Sequence, residues 1–114
     1  MNPGAVYTLE RGAEVLGTLT VTDAGPFAVD ATFDPAPAFD TYRVLFDEDA
    51  RYAHLIAQDD DPALLEQAGA IQESLLALNL VLRGDGNTGY RTFLISIEGG
   101  SASFRPLTPE EEPL

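Results

Sequence analysis

Residues 61–82, DPALLEQAGAIQESLLALNLVL, decide the fold. Asp61 can accept from the free N–H groups of a first turn, Pro62 has the φ of a first helical position, and Glu66 adds an early negative charge, so a helix is expected to begin here. Leu64, Ala68, Ile71, Leu75 and Leu78 recur at steps of three and four with Leu65 and Leu76 beside them, while Glu66, Gln67, Glu73 and Ser74 fall elsewhere. One face therefore needs cover. About 18 helical residues would span about 27 Å, enough to lie across a small sheet. Asn79 is placed to close the helix, and Leu80 opens a strand.

N-terminal to this stretch, Asp59-Asp60-Asp61 is a short link, and a link of that length leaves two helices packed as antiparallel neighbours. The partner is read as one helix over residues 38–58 (AFDTYRVLFDEDARYAHLIAQ), a break near Phe46 being the alternative. Phe39, Tyr42, Phe46, Ala53 and Ile56 form its stripe, and Leu45, Tyr52 and Leu55 lie alongside. Pro35 and Pro37 stop whatever strand precedes them, since neither can donate to a ladder.

Three strands are expected before the prolines. Residues 5–11 (AVYTLER) alternate Tyr7 and Leu9 with Thr8 and Glu10. Residues 15–23 (VLGTLTVTD) put Val15, Gly17, Leu19 and Val21 on one face, and residues 27–34 (FAVDATFD) put Phe27, Val29, Ala31 and Phe33 inward. Three more are expected after the helix pair: residues 80–83, residues 90–98 (YRTFLISIE) and residues 101–107, separated by the turn-rich 84–89 and by Gly99-Gly100. The order βββααβββ predicts an α+β fold, an antiparallel sheet or sheets with a helix pair packed on one face. Phe27, Val29, Phe33, Phe93, Ile95 and Ile97 are expected to face Leu64, Ile71, Leu75 and Leu78. Residues 1–107 read as one domain, and residues 108–114 (TPEEEPL) as a disordered acidic tail.

The YTL strand at Tyr7–Leu9, the V-x-A-x-F-x-P-x-P-x-F passage from Val29 to Phe39 and the L-F-x-E run from Leu45 to Glu48 resemble small uncharacterised bacterial proteins. The resemblance covers about half of the chain, supports the fold and implies no activity.

Composition bounds function more than any motif does. The net charge is −13, and all six basic residues are arginine: Arg11, Arg43, Arg51, Arg83, Arg91 and Arg105. Without lysine there is no Schiff-base chemistry, and without cysteine there is no disulfide, thiolate nucleophile or thiolate metal site. So negative a field opposes nucleic acid and anionic membranes. No apolar run reaches the length of a membrane span and the N-terminus lacks an apolar h-region, so a cytoplasmic location is expected. The same composition also follows from a GC-rich genome or a salty cytoplasm, so charge alone identifies no partner.

No phosphate loop, G-x-S-x-G, H-E-x-x-H or dinucleotide fingerprint occurs, and neither a catalytic set nor a cofactor is expected. His54 is the only histidine, and any imidazole acid–base step would draw on it with Asp47, Glu48, Asp49 or Asp61. Asp47-Glu48-Asp49 and Asp59-Asp60-Asp61 are oxygen-rich but have no coordination grammar, and 85–89 (DGNTG) lacks most of a calcium loop, so no metal site is assigned. Arg43 and Arg51 either pair with neighbouring carboxylates or bind an anionic ligand. The leading expectation is a non-catalytic protein-interaction module whose acidic residues 47–49 and 59–61 meet a basic protein. The alternative is a small-ligand-binding domain or enzyme using His54 and nearby carboxylates. A homodimer through Tyr42, Tyr52 or Tyr90 is compatible with both.

Overall fold

In the computed structural model, which describes residues 2–114, the first alternating stretch forms three antiparallel strands: β1 (Val6–Arg11), β2 (Glu14–Ala24) and β3 (Val29–Pro35). After a 3-10 turn at Pro37–Phe39 come the helices α1 (Asp40–Gln58) and α2 (Pro62–Leu76), then β4 (Val81–Arg83), β5 (Gly89–Tyr90), β6 (Phe93–Glu98) and β7 (Ser101–Pro106). The strands on either side of the helices join into one antiparallel sheet. β4 pairs with β1 and β7 pairs with β3, giving the order β5-β4-β1-β2-β3-β7-β6. The fold is α+β, a half-barrel with a helix pair.

The order forces the curvature. β5 and β6 are opposite edges of the sheet, yet only Arg91 and Thr92 separate them in sequence. The three residue steps from Tyr90 to Phe93 reach at most about 11 Å. Six strand spacings of a flat sheet amount to about 29 Å. The sheet must therefore curl until its edges approach. The single strand expected over residues 90–98 is thus two. Tyr90 and Phe93 are both buried although three apart, and an unbroken strand would send them to opposite faces.

A bulge corrects the second strand. Leu9 pairs with Gly17 but Glu10 pairs with Val15, so Leu16 is the extra residue. The phase slips by one there: Leu16 is fully buried and Val15, expected inward, is exposed. Gly17 holds the position where a side chain would not fit, since a Cβ there would lie 2.5 Å from the Phe33 ring.

The core is organised by α1 and the 3-10 turn before it. Phe39 packs edge-on to Phe33 with ring centroids 4.8 Å apart, and Phe46 follows at 5.4 Å. Phe46 is fully buried, and the helix runs through it unbroken, as the reading of one helix has it. α1 lies against β6, and α2 packs on α1. Of the long stripe on α2, only Leu75 is buried. Leu64, Ile71 and Leu78 are half-buried, and Leu65 and Leu76 are exposed. Phe27, expected in the core, lies in the β2–β3 connection and is 78% exposed, because β3 begins only at Val29. Arg11 ties the barrel end to the helices, donating from Nε to the Leu78 carbonyl at 3.2 Å and from Nη1 to the Tyr42 hydroxyl at 2.9 Å.

Two smaller elements complete the frame. Asn79 takes φ 55°, the left-handed conformation suited to the residue beyond a helix end. In residues 108–114, expected to be free of structure, Glu111 exchanges both backbone hydrogen bonds with Gly89, and the Leu114 N–H donates to the Asn87 carbonyl. Pairing of this kind covers the outer edge of β5.

Candidate functional site

The alternation of the sheet and the small residues of α1 make a groove between them of about 270 Å³. Ala50 and Ala53, one turn apart on α1, present only methyl groups, so helix and sheet do not close on each other. Across the sheet, Asp30 of β3 stands opposite Ser103 of β7, which stands opposite Ser96 of β6. Glu98 stands opposite Ser101. The register thus places a polar row on the face that the groove exposes.

His54 is at the groove, and its partner is Glu98. The Nε2 atom lies 3.0 Å and 3.1 Å from the two carboxylate oxygens, with both side chains 66% exposed. Neither Asp47, Glu48, Asp49 nor Asp61 takes this role, so the carboxylate expected from nearby sequence is replaced by one 44 residues away. The pairing depends on β6 lying beside α1, which no local spacing announces. Asp49 comes closest among the expected residues. It is half-buried beside Ser96, and burial pushes its carboxyl above the usual range although the Ser96 hydrogen bond draws it back.

The other candidates separate. Arg43 donates to Asp40 at 3.0 Å and lies over the Phe39 ring; Arg51 donates to Glu48 at 2.8 Å and lies over the Tyr52 ring. Both arginines are thereby occupied within their own helix. Asp47, Asp59 and Asp60 are exposed, and the Asp61 side chain accepts from the Ala63 N–H at 2.9 Å, capping α2. Tyr90 is buried, while Tyr42 and Tyr52 are half-buried, the latter bonded to Gln67. Among the described residues, no group of three or more His, Asp or Glu side chains is placed to hold a metal ion. No described helix is long and apolar enough to cross a membrane.

Chemically, Glu98 can orient the His54 imidazole by holding its Nε2 atom. His54 has no hydrogen-bonded hydroxyl among the described residues, so no nucleophile–base pair is assembled. What the groove offers is carboxylate and hydroxyl oxygen over a floor of alanine methyls. A second cavity, between the end of α2 and the start of β6, is about 50 Å³ and too small for a ligand. No family model matches the chain, and neither a characterised protein nor a solved structure does.

Proposed function

We propose that this protein is a non-catalytic interaction module whose acidic surface docks a basic partner protein. The observation that carries the reading is the state of the charges. The net charge is −13, and four of the six arginines are held in ion pairs with carboxylates. Asp47, Asp59 and Asp60 are exposed and stand in no ion pair among the described residues. Such a surface speeds encounter with a positive partner and repels a negative one, which argues against direct nucleic-acid binding. The reading is that of a cytoplasmic protein, and it accommodates a monomer or a dimer.

The test is capture of basic proteins from the source lysate at low and high salt, repeated with a variant in which Asp47, Glu48, Asp49, Asp59 and Asp60 become amides. A partner retained at low salt, released at high salt and weakened by the amide variant supports the module. A partner bound equally in all three conditions contradicts it.

A second reading rests on the His54–Glu98 pair: a small-ligand-binding domain or enzyme using the groove. His54→Ala then abolishes binding or turnover of a compound found by thermal-shift screening, and an unchanged variant removes that role.

A further inference from the structure

We propose that the groove between α1 and the β3–β7–β6 face seats one arginine side chain of a basic partner, an inference that rests on the interaction-module reading above. Size is the first constraint. At about 270 Å³ the groove stands at the lower end of ligand-pocket volumes and has room for a single inserted side chain. Chemistry decides next. The methyls of Ala50 and Ala53 form an apolar wall for the aliphatic stem, and the carboxylates of Asp30 and Glu98 stand at its sides with Ser101 and Ser103 between. A guanidinium has five donors in a planar fork and no acceptor, and these sides supply acceptors. Among the described residues no arginine lines the groove, and its histidine is already held by Glu98.

The sheet register adds an independent reason. Asp30 stands opposite Asp23 in the β2–β3 ladder, so two like charges meet at this edge of the groove, an arrangement that a cation would relieve. Glu98 keeps free lone pairs while it binds His54, because a carboxylate offers about four acceptor positions. Arginine is favoured over lysine because a planar fork can meet one carboxylate of the groove with two parallel hydrogen bonds, where an ammonium is a point charge.

The probe is the capped tripeptide Gly-Arg-Gly, compared with its citrulline analogue, which keeps the shape and loses the charge. Each is titrated to millimolar concentration into the isotope-labelled full chain and followed by amide chemical shifts. The expected result is movement of the amides of Ala50, Ala53, Ser96 and residues 101–103 with the arginine peptide. Affinity should fall at least about tenfold for the citrulline peptide, for Asp30→Asn and for the groove-filling Ala53→Leu. Ala53 and Asp30 are exposed, so both variants keep the fold, which their thermal midpoints check. Arginine-peptide shifts centred on residues 47–49 and 59–61, with Ala53→Leu binding as well as wild type, overturn the groove and leave the acidic module standing. No shift anywhere also overturns the groove, and the salt-dependent capture then judges the module separately.

Discussion

Gly17 and Gly89 show how little room the half-barrel leaves between strands. A methyl on Gly17 would meet the Phe33 ring at 2.5 Å and the Asp34 carbonyl at 2.8 Å, and one on Gly89, at φ 159°, would meet the Leu82 carbonyl. Gly17→Ala is therefore expected to destabilise by about 1–3 kcal/mol, read as a lower denaturation midpoint. At the opposite extreme, His54→Ala removes a pair whose members are each 66% exposed, and it is expected to change stability by less than about 1 kcal/mol. A larger loss would mean the pair locks α1 to β6. Tyr90 gives a titration signature: burial, then the neighbouring Tyr7 and Glu110, push its hydroxyl from 10.0 up to about 12, and burial raises Tyr7 as well. The folded state holds these protons more tightly than the unfolded chain does. For Tyr90 this contribution to stability is complete below pH 10 and is lost as pH rises through about 12. Ultraviolet titration should show these tyrosinates forming late, and a single transition near pH 10 for every tyrosine would contradict the packing. At this scale the sequence named His54 as the one imidazole, but its partner Glu98 was hidden because 44 residues, with α2, β4 and β5 among them, separate the two.

The elements were legible wherever a local period was clean, and misread wherever tertiary contact changed the phase. Strands β1 and β3 follow their alternation, and Asp61 and Pro62 start α2 as their chemistry requires. The bulge at Leu16 and the break at Arg91-Thr92 follow from curling the sheet, and a period of two does not announce curvature. The out-of-phase pair Tyr90 and Phe93 was the available sign of the break. The two helices exchange rank for a related reason. The continuous stripe of α2 packs largely on another helix, whereas the fewer, larger aromatics Phe39 and Phe46 fill the barrel. Phe46→Ala is expected to cost about 3–5 kcal/mol. Leu75→Ala belongs to the range of about 2–5 kcal/mol for a buried leucine, and Leu65→Ala, on the exposed side, should cost far less. Equal effects of Leu65 and Phe46 truncation would contradict the assignment of α1 as the central helix.

For the whole molecule, the α+β class and the order of strands around the helices could be read from the chain, while the joining of the two meanders could not. That joining is set by β1–β4 and β3–β7 pairing between segments far apart in sequence. It also creates the groove, since it brings Asp30 of the first meander beside Ser103 and Ser96 of the second. Charge is the property that reads directly from composition, and it leads the proposed function. The most direct measurement is the affinity of the captured basic partner by titration calorimetry from roughly 0.01 M to roughly 1 M salt, over which the screening length shrinks from about 30 Å to about 3 Å. A steep and continuous fall in affinity is the expected result. Affinity that holds constant across that range would contradict an interaction steered and held by the acidic surface.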